Sequence, residues 1–259
     1  MSHFINKKIE YLLRKIDQLY SQKILSNNHS LWSELKIYLQ KTKSTGCGYI
    51  DYAALYHEVR SRKPLNVLEC GTGVSTLIIA HAMQENEKES GIHGCVTSME
   101  EYEEYLQMSR QLLPVQYQGY VDFRCSDTVE DRFSIFRGVR YREIPVKPYD
   151  YVFVDGPKYH SPIDDTPTFD YDYLYVLRNT INPVAALIDK RVSTVFVLQQ
   201  ILGNEKVKYQ AIKGLGFVSP CTKQDLGDLS VDLSSLNFTS SFSLFGSTTL
   251  SLSPLKGNK

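Results

Sequence analysis

The chain has 259 residues, enough for one large α/β domain with appendages or for two small domains. Its 29 basic and 29 acidic residues balance to a formal charge of zero, which excludes a global electrostatic attraction to nucleic acid or to an anionic membrane. The N-terminus is too charged for a signal peptide, and no apolar run reaches the ~20 residues that span a bilayer. The five cysteines form no CxxC pair, as is typical of reduced thiols. We therefore expect a soluble cytoplasmic protein that acts on a small molecule and has neither a nucleic-acid nor a membrane partner.

Residues 1–62 carry three helical patterns. The second covers about residues 30–42, and after a break at "TKSTGCG" the third is "DYAALYHEVRSR". The first has an apolar stripe in steps of four and three, formed by Ile5, Ile9, Leu12, Ile16 and Leu19. This stripe packs either on the main domain or on a second subunit, which would make a homodimer through the N-terminal helices.

From residue 65, short apolar runs alternate with longer helical patterns. The predicted strands are "LNVLEC", "GCVTSME", "YVDFRCS", "YDYVFVDG" and "VAALID". The predicted helices between and after them are "VSTLIIAHAMQEN", "EYEEYLQMSRQLL", "TFDYDYLYVLRNTI" and "VSTVFVLQQIL". Alternation of buried-type strands with helices predicts an α/β core over residues 63–221, a doubly wound and mainly parallel sheet with helices on both faces.

The pattern weakens towards the C-terminus. We expect "VKYQAIKGLGFVSP" to form a strand followed by a turn. Residues 222–259 are predicted to be a Ser-rich loop followed by a terminal strand within "SFSLFGSTTLSLS".

The stretch "VLECGTGVST" at residues 67–76 is the most informative motif. A strand followed by GxGxxG indicates a dinucleotide site, but here a threonine stands at the third glycine position. Glu69 precedes the first glycine by two residues, and a carboxylate there would repel a pyrophosphate. The motif favours a ligand that carries a positive charge and no phosphate, and it argues against a nicotinamide cofactor.

The segment "ECGTGVS" resembles the first motif of the class I S-adenosylmethionine-dependent methyltransferases: an acid, any residue, Gly, any residue, Gly, then a small residue. The resemblance extends over about residues 65–200 and implies a Rossmann-like fold with S-adenosylmethionine as the methyl donor. Glycines without a Cβ let the backbone approach the amino-acid part of this cofactor. The cofactor-binding residues implied in this turn are Glu69, Gly71, Thr72, Gly73, Ser75 and Thr76.

Acids also end the next three predicted strands, as the resemblance requires. It implies that Glu100, with Glu101 as the alternative, accepts hydrogen bonds from both ribose hydroxyls. It places Ser126 and Asp127 at the adenine ring, and Asp155 beside the sulfonium and the acceptor. Each acid also has a simpler interpretation, as a helix cap, a helix-terminal charge or a turn residue.

In cation-dependent O-methyltransferases, acids after the fourth and fifth strands hold magnesium, and a lysine acts as base. Asp155, Lys158 and Asp189 match these positions. Lys190 stands where that family has an asparagine, and its ammonium disfavours a hard dication. A divalent ion such as Mg²⁺ on Asp155 and Asp189 is therefore an alternative that we do not favour.

The remaining site residues concern the acceptor. Lys158, Lys190, Arg191 and His160 either form a pocket for an anionic acceptor or belong to a salt-bridged rim with Asp164, Asp165 and Asp189. His160 is also a candidate general base, and Tyr159 a candidate pocket wall. In the related family the region "GYIDYAALYHEV" closes over the cofactor, through Tyr49 and Tyr52 here.

These features predict methyl transfer to a small polar or anionic metabolite. Oxygen is favoured, because "DGPK" lacks the (Asp/Asn)-Pro-Pro-aromatic signature of many amino-methylating enzymes. A sugar or a precursor of a surface glycan is the expected acceptor. The alternative is a non-catalytic relative that serves as a binding or assembly module.

Overall fold

The computed structural model describes residues 2–42, 46–226 and 250–252, with side chains from residue 8 onward. The helices are α1 Ser2–Asn27, α2 His29–Lys41, α3 Tyr49–Arg62, α4 Val74–Ser90, α5 Glu103–Leu112, α6 Asp172–Asn179 and α7 Val192–Leu202. The strands are β1 Asn66–Cys70, β2 Cys95–Glu100, β3 Val121–Cys125, β4 Thr128–Phe133, β5 Phe136–Tyr141, β6 Tyr151–Val154, β7 Phe169–Asp170, β8 Val184–Asp189, β9 Val207–Gln210 and β10 Leu215–Cys221.

Seven strands form the main sheet in the order β3-β2-β1-β6-β8-β10-β9. The first five strands in this order are parallel, and β10 pairs antiparallel with both β8 and β9. The chain reverses its direction of travel across the sheet between β1 and β6, and such a switch point is where open α/β sheets bind ligands. The predicted α/β class with a mainly parallel sheet is confirmed.

Alternating side chains of the central strands feed two separate hydrophobic cores. In β6, Tyr151 and Phe153 face the core shared with α2, α3 and α4, whereas Val152 and Val154 face the core shared with α6 and α7. Strand β8 alternates in the same way. Both faces of these strands are buried, which explains why their sequences are continuously apolar.

The N-terminal helices pack on one face of the domain. Helix α1 contacts α3, and α2 contacts α4 through a face that includes Leu31 and Leu35. Asn28 caps α2, accepting a hydrogen bond from the Leu31 backbone at 3.1 Å. The predicted stripe of α1 points away from this contact: Ile9, Leu12, Ile16 and Leu19 are between 49% and 66% exposed.

A second, three-stranded sheet in the order β4-β5-β7 lies between β3 and α6 along the chain. It was not predicted, because its hairpin turn has no glycine: Ser134 adopts the left-handed conformation there, with φ of 54°. Phe169–Asp170 forms β7, so the helix predicted from residue 168 begins only at Asp172. The strand and turn predicted in "VKYQAIKGLGFVSP" form a hairpin, β9 and β10, which extends the main sheet.

Most of the predicted C-terminal segment 222–259, including nearly all of its terminal strand, lies outside the described residues. Within the described part, Leu252 forms a bridge with Phe136 at the start of β5. No helix in the described ranges is both long enough and apolar enough to cross a lipid bilayer.

Candidate functional site

A cleft of about 290 Å³ opens at the carboxyl ends of β1, β2 and β6. The loop after β1 contributes Gly71 and Thr72, the last residue of β2 is Glu100, and the loop after β6 begins with Asp155. Because parallel strands end at the same edge of a sheet, residues far apart in sequence meet here. The cleft therefore brings together predicted residues from three of the strand ends.

The floor of the cleft consists of two glycines that touch across the switch point. Gly71 has a φ of 99°, a conformation that L-residues with side chains rarely adopt. A Cβ on Gly71 would lie 3.1 Å from the backbone nitrogen of Gly156, and a Cβ on Gly156 would lie 2.8 Å from the Gly71 Cα. Glycine is thus required at both strand ends to keep the floor free of side chains.

Glu69 lies beneath this turn and is fully buried. Its Oε2 accepts hydrogen bonds from the hydroxyls of Thr76, at 2.7 Å, and Ser98. Its Oε1 is buried without a hydrogen-bond partner. Burial raises the pKa of Glu69 to about 7, although neighbouring hydroxyls act in the opposite direction. Among the described residues, Glu69, Gly73, Ser75 and Thr76 do not line the cleft. The Thr76 hydroxyl instead accepts the Gly73 backbone N–H at 3.0 Å, which holds the turn in place.

The raised pKa of Glu69 predicts a specific pH dependence. Its stabilising contribution is fully present below the unfolded pKa of 4.5 and is lost as the pH rises through about 7. We expect wild type to lose roughly 3 kcal/mol of unfolding free energy from this group between those limits, and Glu69→Gln to lose none of it. Denaturant unfolding at pH 5 and pH 8 measures the difference. The control variant Glu104→Gln, at an exposed position on α5, should show the same pH dependence as wild type. If Glu69→Gln also showed the pH dependence of wild type, Glu69 would not be the group responsible.

Glu100 presents its carboxylate to the cleft from a fixed position. Its Oε1 accepts backbone hydrogen bonds from Glu101, at 2.9 Å, and Tyr102, at 3.1 Å. Its Oε2 accepts the Thr72 hydroxyl at 3.2 Å and the Thr72 backbone N–H at 3.4 Å. Burial raises the pKa of Glu100 while these donors lower it in part. A carboxylate held on both oxygens is well oriented to accept two further hydroxyl donors.

Ser126 and Asp127 do not belong to the described cleft lining. The Asp127 side chain is 67% exposed and forms an ion pair with Arg142 at 2.9 Å. The Ser126 hydroxyl donates to the Asp127 carbonyl and accepts from the Glu143 backbone. Their predicted position at an adenine ring stays a prediction, because the inserted hairpin that follows β3 sets their present contacts.

The three predicted cations of the acceptor pocket all have carboxylate partners. Lys158 pairs with Asp165 at 2.8 Å, Arg191 with Asp170 at 2.5 Å, and Lys190 with Asp51 at 3.0 Å. Lys158 and Arg191 line the cleft. The hydrogen bond from Lys158 to Asp165 raises the pKa of Lys158, which keeps its amine protonated and so unable to accept a proton from an acceptor. This arrangement agrees with the salt-bridged alternative, except that Asp164 pairs with Arg137 instead.

His160 and Tyr159 lie on the loop after β6, next to each other. Their rings are 4.9 Å apart, and Tyr159 is half exposed. The Nδ1 atom of His160 is buried without a hydrogen-bond partner, and His160 forms a bridge with Pro167. Neither residue is among the described residues that line the cleft.

Several residues that line the cleft were not predicted from the sequence. They come from α5 and its start, from the inserted hairpin, and from the loop before α3: Tyr102, Tyr105, Met108, Ser109, Tyr141 and Gly46. Tyr102 and Tyr105 are three residues apart at the start of a helix, and this spacing places them on one face of it. That spacing could have identified them from the sequence as a pair beside the cleft. Tyr141 carried no such signal, because β5 itself was not predicted.

Comparison with known proteins gives a family match. Residues 68–174 match a family model described as a methyltransferase domain. No curated protein sequence matches the chain.

Similar solved structures include three methyltransferases. The Podospora anserina methyltransferase PaMTH1, bound to S-adenosylhomocysteine, is 15% identical with a TM-score of 0.41, and the match covers 67% of this chain and 65% of PaMTH1. A SAM-dependent methyltransferase from Aquifex aeolicus is 14% identical with a TM-score of 0.36, and the match covers 71% of this chain and 96% of that protein. The plantazolicin methyltransferase BamL, in complex with a triazolic desmethylPZN analog and S-adenosylhomocysteine, is 13% identical with a TM-score of 0.31, and the match covers 74% of this chain and 63% of BamL. The aligned regions span less than two thirds of PaMTH1 and of BamL.

Proposed function

From the premise that residues 68–174 form a class I methyltransferase domain that uses S-adenosylmethionine, we propose that this chain transfers a methyl group to a hydroxyl oxygen of a small polar metabolite. The observation that carries this proposal is the cleft itself. A side-chain-free glycine floor at the switch point is flanked by Glu100 on one strand end and Asp155 on another.

The residues present fit the cofactor. Gly71 and Gly156 leave the floor open, and a Cβ on either would displace the backbone there. Glu100 is oriented for the ribose hydroxyls, and Asp155 lies on the opposite side of the glycine floor. When bound, S-adenosylmethionine supplies an electrophilic methyl group on a sulfonium centre.

Asp155 is the residue that we assign to the reacting centre. It lines the cleft and approaches the Cys47 thiol at 3.1 Å. A hydroxyl acceptor loses a proton when its oxygen gains a methyl group, and the Asp155 carboxylate is placed to accept that proton. Alignment of the acceptor and exclusion of water supply the remaining catalysis. Lys158 and His160 are secondary candidates: Lys158 is ion-paired, and His160 is outside the described cleft lining.

The cleft favours an uncharged polar acceptor over an anionic one. Lys158 and Arg191, which line it, are already paired with carboxylates. Hydroxyls and carboxylates dominate the remaining polar lining, including Tyr102, Tyr141 and Glu101. Such groups suit a polyhydroxylated molecule, so a sugar or a glycan precursor is the acceptor class that we propose.

We also propose a cytoplasmic location and a homodimeric state for the enzyme. All five cysteines are free thiols, which supports a cytoplasmic location. The exposed apolar side chains of α1 support a homodimer through this helix, since a second copy would bury them.

The alternative, a non-catalytic binding module, does not require an open glycine floor beside oriented acids. Titration calorimetry with S-adenosylhomocysteine is the first test, and we expect micromolar affinity with no heat from NAD⁺. Failure of the folded protein to bind S-adenosylhomocysteine would contradict the proposal. Release of S-adenosylhomocysteine during incubation with hydroxylated acceptors would then separate an enzyme from a binding module.

A further inference from the structure

A buried charge cluster lies behind the cleft, at the junction of three chain segments. Asp51 at the start of α3 and Asp189 at the end of β8 are each only 2% exposed. Lys190 Nζ lies 3.0 Å from Asp51 Oδ2 and 3.6 Å from Asp189 Oδ2. The Cys47 sulfur connects this cluster to the cleft, at 3.5 Å from Asp189 Oδ2 and 3.1 Å from Asp155 Oδ2.

These carboxylates require a positive charge close by. The Oδ1 atoms of Asp51 and Asp189 are both buried without a hydrogen-bond partner. Packing several acids in a low-dielectric region is unfavourable unless a cation or a proton compensates them.

A divalent metal is one candidate for that cation, but the residues do not fit it. Ligand atoms of Cys47, Asp51 and Asp189 lie within 4.8 Å of one another, close enough to surround an ion. The Lys190 ammonium, however, already contacts both carboxylates. The Cys47 thiol also donates a hydrogen bond to Asp155 at 3.1 Å, and sulfur is a soft ligand that a hard dication such as Mg²⁺ does not prefer.

Lys190 also holds a segment of the cleft wall. Its Nζ donates to the Gly46 carbonyl at 2.9 Å. Gly46 lies against the Asp155 carboxylate so closely that a Cβ would be 2.9 Å from Oδ2. Burial lowers the pKa of the Lys190 ammonium, but the charges of Asp189 and Asp51 outweigh this and raise the net pKa, so the cation persists at neutral pH.

We propose that Lys190 is a built-in cation that takes the place of a divalent metal. It neutralises Asp51 and Asp189 and fixes Gly46 against Asp155 at the cofactor cleft. Lys190 is thus a positioning residue, and the cleft needs no divalent metal at this position. The inference rests on the proposed function only for the identity of the cleft ligand.

Lys190→Asn tests this directly. Lys190 has a φ of 46°, in the left-handed region that asparagine tolerates better than most residues, so the backbone should not suffer. The substitution removes the ammonium, leaves the carboxylates and adds an amide oxygen, which together form a donor set suited to a divalent ion. The variant should therefore bind a metal that wild type ignores.

The experiment measures thermal unfolding of both proteins in EDTA and in millimolar MnCl₂. We expect an unchanged melting temperature for wild type, and for Lys190→Asn a loss on the order of 5 °C in EDTA that Mn²⁺ largely restores. Affinity for S-adenosylhomocysteine should fall about tenfold in the variant in EDTA and recover with Mn²⁺. Lys206→Asn, which removes a lysine ion-paired with Asp225, should show no response to Mn²⁺.

Two results would overturn the proposal. One is equal stabilisation of wild type and Lys190→Asn by Mn²⁺, which would mean that a metal binds beside the ammonium. The other is an undiminished melting temperature of Lys190→Asn in EDTA with no response to Mn²⁺. The thermal measurement needs no S-adenosylhomocysteine, so failure of wild type to bind that ligand would reject the proposed function and leave this inference standing.

Discussion

Alanine in place of Gly71 should weaken the binding of S-adenosylhomocysteine by about a hundredfold, a loss of roughly 3 kcal/mol, because the turn that forms the cleft floor must move. The added Cβ would lie 3.1 Å from the backbone nitrogen of Gly156, where no flexible side chain can move aside. The φ of 99° adds a strain of roughly 1–2 kcal/mol for any residue with a Cβ. The chain must relieve both by moving the turn or the start of the loop after β6, which carries Asp155. Titration calorimetry of the folded variant measures the loss.

Gly91→Ala is a matched control for this variant. Gly91 ends α4 with a φ of 73°, and a Cβ there would have no neighbour within 4 Å. It therefore carries comparable backbone strain without the clash and far from the cleft. Gly91→Ala should lose about 1 kcal/mol of stability and Gly71→Ala at least as much, but only Gly71→Ala should lose affinity. Equal affinities in the two variants would remove the glycine turn from the binding site.

The main sheet was predictable because its central strands are buried on both faces. Continuous apolar runs such as "VAALID" have few alternatives when helical patterns separate them. The inserted hairpin was not predictable for the opposite reason. Strand β4 is only partly buried, and the turn between β4 and β5 uses Ser134 rather than a glycine or asparagine. Its contacts with the rest of the fold, not its local pattern, determine its structure.

The residues of the candidate site also fall into a predictable and an unpredictable group. Glu100 and Asp155 were predictable, because an acid at the end of a strand can be identified once the strand itself is recognised in the sequence. Cys47 and Asp51 were not, since they meet Asp155 and Asp189 only when the N-terminal helices pack on the sheet. The pairing of Lys190 with Asp51 spans 139 positions of sequence, and no spacing rule anticipates such a contact. Strand-end motifs predict where the cofactor binds, but the charge balance around that position depends on tertiary packing.

Glutamine in place of Glu100 should weaken the binding of S-adenosylhomocysteine by about 10–100-fold, as expected for the loss of charge-assisted hydrogen bonds worth roughly 1.5–3 kcal/mol. Both oxygens of Glu100 accept hydrogen bonds within the protein: Oε1 from two backbone N–H groups, Oε2 from Thr72. An amide nitrogen in either position would face a donor, so the side chain must rotate or lose a partner. The loss of unfolding free energy should be smaller than the loss of binding free energy. Burial raises the pKa of Glu100, so the folded protein already pays a cost for the ionised side chain that glutamine avoids. Calorimetry and thermal unfolding of the same sample separate the two effects.

Glu101→Gln distinguishes a ribose-binding carboxylate from any acid at the end of this strand. Glu101 also lines the cleft, and its Oε1 accepts the Lys158 backbone N–H at 2.9 Å, a hydrogen bond that an amide oxygen can retain. Loss of the Glu101 charge should leave the affinity within about twofold of wild type, because the charge is only partly buried and the hydrogen bond to Lys158 is kept. The reverse ranking of the two variants would mean that Glu101, and not Glu100, contacts the ribose. Equal and small losses would mean that neither acid contacts the ribose, and Asp155 and the glycine floor alone would then define the cofactor site.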